Sequence, residues 1–107
     1  MEYIAVNITC GSMEEAEKIS KTLVNEKLVA CANILGGMDS IFWWEGKVQR
    51  TSEVLVMMKT VRPNFDKVAA RVKELHSYQV PEIIAFPIVE GSNDYLKWIE
   101  SSVSANR

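Results

Sequence analysis

The chain opens on an alternation of period two, with Ile4, Val6 and Ile8 on one side and Tyr3, Ala5 and Asn7 on the other. Successive side chains of a strand point to opposite faces, so Tyr3 to Thr9 is predicted as a strand. Gly11-Ser12 ends it. Ser12 and Glu15 have capping-box spacing and predict a helix start. Behind them Ala16, Ile19, Leu23, Val24 and Lys27-Leu28 recur at helical spacing, with charges between them. Val29 to Trp44 returns to strand character, with Gly36-Gly37 marking a bend or bulge. Glu45-Gly46 suits a hairpin turn, because glycine accepts a positive φ without a Cβ clash, and Lys47 to Thr60 is the returning strand. Arg62-Pro63 predicts a second helix, since the fixed φ and missing N–H of proline suit a first helical position. Its apolar stripe is Phe65, Val68, Ala69, Val72 and Leu75. Ser77 to Pro81 reads as a loop and Glu82 to Val89 as a fourth strand, with Pro87 at an edge or bulge. Gly91-Ser92-Asn93 caps a last helix, Asp94 to Val103, and Ser104 to Arg107 is expected to fray.

The order β-α-β-β-α-β, then a helix, places the chain in the α+β class, with a ferredoxin-like split βαβ pattern, an extended hairpin and a C-terminal helix. That pattern predicts an antiparallel sheet in the spatial order four, one, three, two, with both main helices on one face. Two features exceed what a lone subunit can bury. Val54 to Met58 and Ile83 to Phe86 are apolar on both faces, yet two helices cover only one. The hairpin strands, at about 15 residues of roughly 3.3 Å each, reach about 50 Å, about twice the length of strands one and four. The excess must project as an arm carrying Phe42, Trp43 and Trp44, and an exposed apolar arm is expected to contact a second subunit.

Composition narrows the function without naming it. The 107 residues are expected to form a single domain, 1–107, and being 48% hydrophobic and 24% charged they can build a packed core. A net charge of −2 with both signs scattered argues against a nucleic-acid partner. No apolar run approaches the roughly 20 residues of a membrane span, and the amino terminus does not read as a signal peptide. Cys10 and Cys31 are too few for a disulfide framework. The expectation is a cytoplasmic protein with reduced thiols and no membrane partner.

Cys10, Cys31 and His76 are the conceivable soft-metal ligands. In the expected topology Cys10 ends strand one and His76 ends the second helix, both at the top of the sheet, so these two can approach each other. Cys31 starts strand two at the bottom and reads as a buried apolar thiol. Two ligands are too few for a tight site, so a third would come from solvent or a carboxylate. The other reading of His76 is a helix C-terminal cap, where imidazolium complements the dipole. Met57 and Met58 alternate faces and read as packing. Trp43 and Trp44 suit a subunit interface or a stacking platform. No Ser-His-Asp, zinc-ligand or phosphate-loop spacing is present. The joint Cys10 to Met13 lacks the arginine of acylphosphatases, and strand three lacks the aromatics of an RNA-recognition module, so neither an enzyme nor an RNA binder is expected.

Several segments then act together: Ala30-Cys31-Ala32-Asn33; Ser40 to Lys47; Glu53 before Lys59-Thr60; His76 to Ile83; and Tyr95-Leu96-Lys97-Trp98. In this order and spacing, from Tyr3 to Val103, the chain resembles the CutA family of divalent-cation tolerance proteins. The resemblance implies a ferredoxin-like subunit in a homotrimer, with the hairpin wrapping a neighbour, and a link to copper and other divalent cations. It also implies a likeness to PII signalling proteins in fold and assembly. By that likeness Trp43, Trp44, Lys59, Tyr78 and Glu82 belong to a cleft between subunits that could hold an unknown small ligand. For Lys59 an ion pair with Glu82 or Glu53 is the other reading. Ser77 stands where the family usually has proline, Gln79 sits where glutamate or glutamine is common, so that one carboxylate is absent, and Ile8 occupies the position of a first-strand thiolate found in some members.

Overall fold

The structure, a computed structural model, describes residues 1–104. The elements are β1 (Tyr3–Cys10), α1 (Met13–Asn25), β2 (Cys31–Trp44), β3 (Lys47–Val61), a 3-10 turn (Arg62–Asn64), α2 (Phe65–Leu75), β4 (Ile83–Pro87) and α3 (Asn93–Ser102). The sheet has the order β2-β3-β1-β4 with every neighbouring pair antiparallel, which is the ferredoxin-like arrangement expected from the sequence.

The alternation in β1 sorts its side chains. Val6 and Ile8 lie opposite Met58 and Val56 of β3. They pack under Ala16, Ile19 and Leu23 of α1 and Val68 and Val72 of α2 to form the main core. The Ser12 Oγ accepts the Glu15 N–H at 3.1 Å and starts α1 as the capping spacing predicts. The helix stops at Asn25, so Lys27-Leu28 lie outside it despite their spacing. The stop is a Schellman motif: the Leu28 N–H donates to Leu23 O and the Lys27 N–H to Val24 O, both at 3.0 Å. Lys27 takes the left-handed φ of 60° usually given to glycine.

Other boundaries differ from the expectation, those of β1, β3 and α3 by one residue. β2 starts at Cys31, not Val29, although the Ala30 N–H already donates to Lys59 O at 2.8 Å. Arg62-Pro63 opens a single 3-10 turn, and the α-helix proper begins at Phe65. β4 runs only from Ile83 to Pro87, an edge position whose missing N–H the ladder does not need, and the Ile88 N–H still donates to Tyr3 O at 2.9 Å.

α3 lies across the other face of the sheet at one end. Its Leu96 and Ile99, with Val103, pack on Tyr3, Ala30, Val61 and Ile88. Ser104 does not fray: its N–H donates to Lys27 O at 2.8 Å, and its carbonyl accepts from Asn64 Nδ2 at 3.4 Å. The remainder of the expected frayed tail, 105–107, falls outside the described residues. α3 leaves the rest of this face uncovered, with Leu35, Phe86, Ile84 and Met57 exposed.

The expected arm is present. A bulge between Leu35 and Met38 separates the body from a hairpin paired in register from Met38↔Glu53 to Trp44↔Lys47. Glu45 and Gly46 both have positive φ, 52° and 79°, the signature of a tight type I′ turn. Trp43 is 73% exposed and Ile41 68%.

Candidate functional site

Three elements meet at the top of the sheet: the end of β1, the start of α1 and the end of α2. Cys10 closes β1 and is fully buried, while His76 caps α2, its N–H bonded to Val72 O at 2.8 Å. Glu15 reaches both sides of the junction. Its Oε1 accepts the Gly11 N–H at 3.4 Å and its Oε2 accepts the Ser77 N–H at 2.7 Å. The ligand atoms of Cys10, Glu15 and His76 all lie within 4.8 Å of one another.

The ring of His76 is fixed at both nitrogens. A backbone N–H can only donate, so Nδ1 accepts the Tyr78 N–H at 3.0 Å, and Nε2 carries the hydrogen donated to Thr9 O at 2.7 Å. Burial, reinforced by the charges of Glu15 and Glu53, pushes the Cys10 thiol up to about 12. Burial also raises the Glu15 carboxyl, but the hydrogen bonds from Ser77 and Gly11 outweigh it and leave the group below its usual value. This donor set of thiol, carboxylate and imidazole fits a borderline or soft divalent ion. Ligation would have to displace the thiol proton and, at Nδ1, the Tyr78 N–H. The Nε2–H to Thr9 bond matches the support a metal-bound imidazole commonly has.

Beside this cluster, the Tyr78–Glu82 loop and the arm enclose a groove of about 620 Å³. The Tyr78 hydroxyl donates to Glu53 Oε2 at 2.7 Å, and burial followed by this bond pushes the phenol up to about 12. Gly11 makes room for the ring: a Cβ there would come within 3.2 Å of Tyr78 Oη. Phe42 and Trp44 line the groove from the arm.

The structure brings together Cys10 with His76, and Trp44 with Tyr78 and Glu82. It does not bring in the rest. Cys31 lies on the opposite face, opposite Lys59, with its Sγ 3.6 Å from Tyr95 Oη. Lys59 forms neither anticipated ion pair and donates instead to Asn33 Oδ1. It sits opposite Ala5, six positions along β3 from Glu53. Trp43 is outside the groove lining. Glu15, Phe42 and Glu53 were not placed at a site by the sequence reading. For Glu15 the capping spacing was visible, but not its reach to Ser77 across 62 positions.

Comparison with known proteins agrees over nearly the whole chain. Residues 4–102 match the family described as CutA1 divalent ion tolerance protein. The chain is 47% identical over 102 residues to the divalent-cation tolerance protein CutA of Thermus thermophilus, covering 95% of this chain and 98% of that one. It is 41% identical to the chloroplastic protein CutA 1 of Oryza sativa, covering 92% of this chain and 56% of that longer protein. The solved structure of the Thermus thermophilus protein superposes with a TM-score of 0.93 at 45% identity, covering 95% of this chain and 99% of the other.

Proposed function

The chain belongs to the CutA1 divalent ion tolerance protein family, and from that premise we propose that it serves divalent-cation tolerance by binding copper or a similar ion as a homotrimer. The observation that carries the metal reading is the convergence of Cys10, Glu15 and His76 within 4.8 Å. A thiolate and an imidazole favour copper over hard ions such as magnesium, which prefer oxygen ligands. Because the thiol titrates at about 12, binding releases a proton at neutral pH. The protein acts as a binder, not a catalyst: a fully buried thiol held that high is a poor nucleophile. The assembly reading is supported by the uncovered apolar face and by the arm, whose Trp43 and Ile41 are solvent-exposed in a single chain. The compartment we propose is the cytoplasm, where Cys10 and Cys31 would stay reduced; both are free thiols, and among the described residues no helix is long and apolar enough to cross a membrane.

Anaerobic calorimetry with Cu(II) tests the metal reading. His76→Ala and Cys10→Ser should each weaken binding at least tenfold, and Cys31→Ser should bind like the parent. Parent-like binding by the first two, or loss in Cys31→Ser, would overturn the assignment.

A second reading, a small-molecule sensor of the PII type, is favoured by the groove between the arm and the Tyr78–Glu82 loop. Its volume of about 620 Å³ and its aromatic lining suit a small organic ligand.

A further inference from the structure

We propose that this groove binds a small organic amine, held by Glu53 and Glu82 and by the faces of Phe42, Trp44 and Tyr78; the inference rests on the second reading above and gives its ligand a chemical class. The lining contains two carboxylates, those of Glu53 and Glu82, and no lysine, arginine or histidine. Lys47 lies opposite Trp44 at the tip of the arm but is not part of the lining. An anionic ligand such as a nucleotide would therefore meet like charge, whereas phosphate recognition relies on cationic side chains or backbone N–H groups.

Glu53 makes the charge argument specific. It is only 7% exposed, and among the described residues its one hydrogen bond comes from the neutral Tyr78 hydroxyl, at Oε2. Neither Glu53 nor Glu82 takes part in a salt bridge among the described residues. A largely buried carboxylate beside one neutral donor and no cation is a place that a cationic guest complements. Three aromatic rings around the same space add cation–π attraction and exclude water from a guest with an alkyl body. A bare metal ion would use none of that apolar surface.

The test is calorimetry on the purified oligomer with agmatine, putrescine and choline, with AMP and ATP, and with Ca²⁺. At least one amine should saturate the protein at one site per chain. Glu53→Gln, which keeps the shape and an oxygen acceptor for Tyr78, should weaken that amine at least tenfold. Should Glu53→Gln fail to fold, Glu82→Gln at an exposed position carries the same test, with a loss of about threefold or more expected. Saturation by AMP or ATP without any amine would overturn the cationic class and leave the sensor reading standing. Binding of Ca²⁺ alone would overturn the amine in favour of a hard-metal site. Binding of none of these probes would remove both the inference and the reading beneath it. Amine binding indifferent to Glu53 and Glu82 would place the site elsewhere.

Discussion

On β3, Val56 and Met58 are fully buried beneath the helices, whereas Met57 between them is 38% exposed. Across the sheet, Val6 and Ile8 of β1 are fully buried, while Phe86 and Ile84 of β4 are 51% and 44% exposed on the other face. All seven are apolar, so residue type does not separate the two faces. Cover does. α1 and α2 supply it on one side, and α3 supplies it only at one end of the other. The apolar residues left over are those an intersubunit contact would bury, and the covered and uncovered faces should respond differently to the same kind of substitution.

The largest expected effect is on the covered face. Met58→Ala should cost about 2–5 kcal/mol, because the cavity lies under two helices that cannot collapse into it. The thermal midpoint should fall at every protein concentration. Met57→Ala, one residue away, should cost less and depend on concentration; equal losses would erase the distinction between the faces. Next comes Phe86→Asp on the uncovered face. It should break up the assembly while far-ultraviolet circular dichroism stays that of the folded subunit. An unchanged mass would show that this face is left to solvent.

A smaller effect comes from pH. The folded-state values of Cys10 and Tyr78, each about 12, stand above their ordinary 9.0 and 10.0. Between the ordinary and the raised values the folded chain holds more protons than the unfolded one. Their contribution is therefore complete below about pH 9 and lost as pH rises toward 12. Glu15 is shifted the other way, so its contribution is present above its ordinary 4.5 and lost on acidification. Denaturant midpoints measured against pH should show both flanks, and Cys10→Ser should flatten the alkaline one. The smallest expected change is a gain. Lys27→Gly at the left-handed helix end should stabilise the chain by about 1 kcal/mol in urea unfolding, while leaving oligomer mass untouched.

The helical face was the more legible part of the sequence. The alternation of Ile4, Val6 and Ile8 and the spacing of Ala16, Ile19 and Leu23 each state locally which side is inward. Element ends were less legible where a backbone bond overrode the pattern. Leu28 continues the apolar stripe of α1 but lies past its end, because Lys27 adopts a positive φ that its side chain does not advertise. The meeting of Cys10 with His76 followed from topology alone, since both end their elements at the same side of the sheet. Glu53 and Phe42 were hidden because their place depends on the register across the bulge at Leu35 to Met38. For Lys59 an ion pair stood beside the cleft as an equal reading, but Lys59 and Glu53 are six positions apart on one strand, and Lys59 lies opposite Ala5 and Cys31.

Light scattering on a gel-filtration column at micromolar concentration most directly tests the claim that the uncovered face and the arm are interface. The account predicts about three times the chain mass of 12.1 kDa. A folded, stable species at 12.1 kDa would contradict it.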